Sequence, residues 1–179
     1  MAKAQNVMLR REHCTLPPEL ARCMRISART YQRWLGRKTA AHVRRDRKRK
    51  LKGVDPATYR NAIHDAVLRS GGCDHYTGES LDWTLVGRYD NDASRKGRHR
   101  YKARFALLPT VDHVDASASS ASFVICAWRT NDAKNDLAAT DFIDLCAKVL
   151  THAGYVVMVP GGASRRHPSN VAKPRRLAT

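Results

Sequence analysis

The sequence has no uninterrupted apolar run of the roughly eighteen residues that crossing a bilayer requires. Its opening stretch, Met1 to Cys14, is polar and basic and lacks the apolar core of a secretory signal. Residence in the cytoplasm is therefore the expectation, with no membrane contact. Cysteine is sparse and badly placed for a framework. Five residues (Cys14, Cys23, Cys73, Cys126 and Cys146) form an odd, widely spaced set with no CxxC pair. That pattern argues against a disulfide scaffold and lacks a complete zinc-knuckle signature. Cys23 and Cys146, flanked by apolar residues, read as small core side chains. There is no internal repeat. Acidic residues are few as well: 16 Asp and Glu stand against 33 Lys and Arg, a net charge of +17. A chain this basic repels itself when compact, so a polyanionic partner is expected.

What is present is unevenly spread. Residues 1–53 hold 16 Lys and Arg against Glu12, Glu19 and Asp46, and so carry +13 of the +17. A second cluster, Arg95, Lys96, Arg98, Arg100, Lys102 and Arg104, contains no acid, and a third lies at Arg165, Arg166, Lys173, Arg175 and Arg176. Residues 105–160 are near neutral. This division suggests a basic helical region over 1–54, a core domain over 55–160, and a disordered basic tail over 161–179. Arg44, Arg45, Arg47, Lys48, Arg49 and Lys50, with Arg95, Lys96, Arg98 and Arg100, are the expected nucleic-acid contacts, made through phosphate attraction and counterion release. The bland alternative is a solvated charged face.

Local signals give an α+β order. Ser27 caps a helix through Tyr31, Trp34, Leu35, Lys38 and His42, whose charged end is expected to project into solvent. Asp55-Pro56 reads as N-cap and first residue of a second helix that stops at Gly71-Gly72. The 94–104 cluster reads as a loop. Phe105–Val114 and Ser122–Trp128 are rich in strand formers and are joined by a small-residue loop. Asn131–Leu137 reads as a short helix. A final helix carries Phe142, Ile143, Cys146, Val149 and Leu150 as its apolar stripe, and Tyr155–Val159 as a following strand. Trp34, Trp83 and Trp128 are expected in the core, His64 on a helix surface, and His42, His99 and His167 in solvent or on nucleic acid.

The residues Val111-Asp112-His113-Val114, followed by Cys126, Asn131, Lys134, Asn135, Asp136 and Leu137, resemble the HNH (His-Me finger, ββα-metal) endonucleases. The likeness covers about 35 residues. It implies a ββα-metal core, with Asp112 and Asn131 holding Mg²⁺ or Mn²⁺ and His113 as general base. Lys134 would steady phosphate or Asp112. It implies DNA as substrate, double-stranded before single-stranded, with RNA as a further possible partner. The chemistry is consistent with these residue types: histidine titrates near neutrality, and Mg²⁺ prefers hard oxygen donors and needs few from the protein. The chain departs from the family where its middle Asn would orient the histidine: that place falls near Ser122 or Ala121, and Ser122 could supply one hydrogen bond there. Cys73 and Cys126 stand singly where relatives carry paired zinc ligands, so no structural zinc is expected. Two other readings follow from the departures: a non-catalytic DNA- or RNA-binding protein on a degenerate HNH fold, and a basic structural protein with RNA as partner.

Overall fold

The structure, a computed structural model, describes residues 14–114 and 121–158. The tail 161–179, with His167 and the third basic cluster, and most of the loop between the two expected strands lie outside the described residues. Two compact units are present, one ending at Thr140 and one beginning at Asp141. Among the described residues, no helix is long and apolar enough to cross a membrane.

The first unit is α+β. A short helix α1 (Pro18–Cys23) leads to α2 (Ala28–Lys48) and α3 (Pro56–Ser70). The Ser27 side chain accepts a hydrogen bond from the Thr30 amide, and the Asp55 carboxylate accepts one from the Thr58 amide at 2.7 Å. These satisfy first-turn donors that a helix leaves open. Gly71 closes α3 at φ +57°, a left-handed cap that glycine adopts without steric cost. After a 3₁₀ turn (Trp83–Leu85) comes α4 (Asn91–Ala103), capped by Asp90 and broken at Arg98, where φ is +43°. The stretch expected as a loop is thus mostly helical. Asp90 supplies the cap, and the break is confined to Arg98.

Strands β1 (Pro109–His113) and β2 (Phe123–Ala127) pair antiparallel, with Asp112 opposite Val124 and His113 opposite Phe123. Both are shorter than their strand-forming stretches. The upstream residues 105–108 lie in turns, and Trp128 opens a helix, α5 (Trp128–Lys134). That helix starts three residues earlier than its sequence suggests.

All five β1 residues are buried, so the strand is covered on both faces. Helix α3 packs on β2, and α5 packs on both strands. One core joins Tyr31, Trp34 and Leu35 of α2, Ile63 and Val67 of α3, Trp83, and Phe123 and Ile125 of β2. Residues on both sides of position 54 share that core.

The second unit holds α6 (Ala139–His152), which begins at the boundary, and Gly154 at φ +91°. None of its helical residues is buried; Ile143 and Val149 are each 59% exposed. Cys146 and Cys23 are exposed, not core. Residues 155–158 form no strand.

Candidate active site

The charged end of α2 turns inward. Helical spacing carries the buried stripe from Tyr31, Trp34 and Leu35 onward to Thr39, His42, Val43 and Asp46. Asp46 is 1% exposed and His42 is 7% exposed, although Arg44, Arg47, Lys48, Arg49 and Lys50 around them face solvent. The expectation that this end projects away from the body is therefore corrected. A stripe of two polar residues inside a charge run gives no apolar signal, which is why composition conceals it.

Asp46 meets the end of β1. The Nε2–H of His113 donates to Asp46 Oδ2 at 2.8 Å, and the Tyr59 hydroxyl donates to the same oxygen at 2.8 Å. Arg45, one residue earlier on α2, donates through Nη2 to His113 Nδ1. These partners fix the neutral imidazole with its proton on Nε2 and its lone pair on Nδ1. The ring is packed between His42, at 4.9 Å between centroids, and Phe123, at 4.7 Å.

Burial and the Arg45 charge hold the His113 pKa below the usual histidine value, against the raising influence of Asp46 and Asp112. Burial alone would raise the Asp46 carboxyl. The hydrogen bonds from Tyr59 and His113, with the nearby Arg45 charge, outweigh it and lower the pKa. His42 is pushed down to about 3 by burial first, then by the charges of Arg45, His113 and Lys38.

Asp112 faces a different set of partners. Its Oδ2 accepts from the Tyr76 hydroxyl at 2.8 Å and lies 3.1 Å from Lys134 Nζ. Lys134 is 1% exposed, so this is a buried ion pair. Successive strand residues point to opposite faces. The strand ends here, and both Asp112 and His113 reach the rim of one polar cleft of about 380 Å³, which Arg45, Asn131 and Lys134 also line.

The start of α5 is set from outside the helix. Ala127 at its N-cap offers no side-chain acceptor; Asp74 Oδ2 accepts instead from the Ala127 amide at 2.8 Å and the Thr130 hydroxyl at 2.7 Å. Asp74 Oδ1 also accepts from the Tyr76 amide at 2.7 Å. One buried carboxylate thus places both α5, with Asn131 and Lys134, and the Tyr76 hydroxyl that holds Asp112.

Of the expected site residues, Asp112, His113, Asn131 and Lys134 are brought together. Ser122 is not: it is exposed at the edge of β2, where its carbonyl accepts from the Val114 amide, and the ring of His113 is held by Asp46. Of the expected basic contacts, Arg45 reaches the cleft, Arg49 lies 3.6 Å from Asp136 on its wall, and Arg44, Arg47, Lys48 and Lys50 are exposed nearby in sequence. Arg95, Lys96, Arg98 and Arg100 are exposed on α4.

Asp46, Tyr59, Tyr76 and Asp74 were not legible as site residues. The one available signal was Asp46 as the lone acid among Arg44–Lys50. His64, expected on a surface, is 2% exposed and hydrogen-bonded to the Tyr31 hydroxyl at 2.6 Å. Trp128 is half-buried, its ring edge-on to Tyr89.

The donor set bears on a divalent cation. Among the described residues, no group of three or more His, Cys, Asp and Glu could hold a metal. Yet Asp112, whose Oδ2 takes the Tyr76 hydroxyl and Lys134, lines the cleft together with Asn131. Two hard oxygen donors with room for water and a phosphate oxygen are a set that Mg²⁺ accepts. Comparison with family models, curated proteins and solved structures finds no match to this chain.

Proposed function

We propose that the chain is a phosphodiester hydrolase of the HNH type that cuts DNA with the help of a divalent cation. One observation carries the reading: a strand–strand–helix unit brings Asp112, His113 and Asn131 to one polar cleft, with the histidine held by a buried carboxylate. Asp112 and Asn131 would hold Mg²⁺ or Mn²⁺, which supplies charge stabilisation on the phosphate and on the leaving oxygen.

The chain's own residues account for the proton. With its proton fixed on Nε2 by Asp46, His113 presents the Nδ1 lone pair as a base for water. Arg45 covers that nitrogen in the structure, and its side chain is 40% exposed. A guanidinium prefers a phosphate, which it can hold by two hydrogen bonds, so an arriving strand draws Arg45 from Nδ1 to the phosphate. Water then loses a proton to Nδ1 as its oxygen bonds phosphorus and the bond to the leaving oxygen breaks. The Asp46 carboxylate stabilises the imidazolium formed. Lys134 and Tyr76 hold Asp112 in place through its Oδ2.

A second reading, a nucleic-acid-binding protein without hydrolysis, has its own support. Arg45 and Lys134 already satisfy His113 and Asp112 with cations. Supercoiled plasmid separates the two. Wild type is expected to nick it with Mg²⁺ and not in EDTA, and His113→Ala to fall by about 10²–10⁴-fold. Binding without nicking under Mg²⁺ and Mn²⁺ alike selects the second reading.

A further inference from the structure

A second pocket, of about 440 Å³, shares Asn131 with the candidate cleft. Its walls are aromatic and cationic. Tyr89 and Trp128 meet edge to face at 5.1 Å; Tyr89 also packs on Tyr101 and Phe105, and Trp128, half-buried, lines the pocket beside it. Trp34, from the core, is also part of the lining.

Lys38 enters the same pocket from α2. Its ammonium donates to the Thr110 hydroxyl at 2.7 Å and, among the described residues, has no carboxylate within ion-pair distance. Burial pulls its pKa down to about 8. A desolvated cation paired only with a hydroxyl is electrostatically uncompensated. Arg37, exposed beside it, adds a second positive charge. Aromatic faces next to unpaired cations are how proteins hold unstacked bases and their phosphates without reading sequence.

We propose that this pocket takes one nucleotide of an opened or single-stranded nucleic acid, its base stacked on Trp128 and its phosphate on Lys38 and Arg37. The assignment deepens the nuclease reading and rests on it for the scissile phosphate lying next door, across Asn131. It identifies the substrate as a strand with a base out of the stack at or beside the cut, not an undistorted duplex.

Anisotropy in EDTA tests it with three probes: a twelve-nucleotide oligo-dT, an abasic strand of the same length and charge, and a twelve-base-pair duplex. Wild type is expected to bind oligo-dT about tenfold more tightly than the abasic strand, the size of one base stacked on a ring. Trp128→Ala is expected to lose that preference, Trp128→Phe, which keeps a ring, to retain it, and Lys38→Gln to weaken binding of both single strands alike. The duplex should bind without any dependence on Trp128.

Equal affinity of wild type for oligo-dT and the abasic strand overturns the proposal, since the pocket then meets phosphate only. A base preference that survives in Trp128→Ala overturns it equally. Incubating the same strands with Mg²⁺ separates the two claims. Base-dependent binding without cutting leaves the pocket assignment standing and removes the nuclease; cutting without base-dependent binding does the reverse.

Discussion

The two basic segments within the described residues, 44–50 on α2 and 95–104 on α4, look alike as composition and differ as structure. The first presents five cations outward and delivers Asp46 to the interior, where with His42 one turn earlier it builds the wall behind His113. The second exposes every one of its cations and is interrupted at Arg98. What separates them is one carboxylate. A lone acid within a basic helix carries a desolvation cost when buried, and hydrogen-bonded partners must offset it. Its burial therefore marks the place where the helix does something besides meet solvent. The run with no acid turns in only the Tyr101 ring, and all its charges stay on the solvent face.

That contrast can be broken at several strengths. The largest effect belongs to Asp46→Ala, which strands the His113 Nε2–H and the Tyr59 hydroxyl without their acceptor. Each buried donor left unpaired costs about 1–3 kcal/mol, so urea unfolding is expected to show a loss of about 3 kcal/mol. A loss indistinguishable from zero would mean that the pair does not organise this wall.

A middle-sized effect belongs to pH. His42 is kept neutral by burial, with a folded pKa of about 3 against about 6.5 unfolded. Its contribution is complete above about pH 6.5 and is lost as pH falls toward about 3, because the unfolded chain takes the proton first. The slope is about 1.4 kcal/mol per pH unit in that window. His42→Phe is expected to flatten the fall in melting temperature between neutral pH and pH 4; an unchanged slope contradicts the assignment.

The smallest effect belongs to α4. Replacing Arg95, Lys96, Arg98 and Arg100 by alanine should leave the melting temperature unchanged and weaken DNA binding uniformly across sequences. Each phosphate contact removed should reduce the salt slope by about 1. If that variant unfolds, the contrast between the segments fails.

The sequence reading reached further into the site's centre than into its frame. Asp112, His113, Asn131 and Lys134 were named through their resemblance to the HNH motif, and α2 and α3 were placed by Ser27, Asp55-Pro56 and Gly71, because capping chemistry is local. Asp46 was illegible for the opposite reason. It lies 67 residues from His113, and nothing local distinguishes a carboxylate that faces solvent from one that faces a histidine. Ser122 was chosen by proximity in sequence, and tertiary packing put the orienting oxygen on another element. Asp74 escaped notice in the same way, since it caps α5 from a loop 53 residues upstream. Cys146 was misread because an apolar stripe predicts a buried face only if something packs on it, and among the described residues α6 buries none of its own.

The central claim is that His113 works as a base because Asp46 holds it. Nicking of supercoiled plasmid under Mg²⁺ by wild type, Asp46→Asn and Asp46→Ala tests it most directly. In Asp46→Asn the amide oxygen can still accept from both His113 and Tyr59, so the orientation survives while the charge that stabilises the imidazolium is lost. The account predicts a loss of about tenfold for Asp46→Asn and about 10³-fold for Asp46→Ala, within the range that proton transfer contributes. Wild-type rates from a folded Asp46→Ala protein would contradict it.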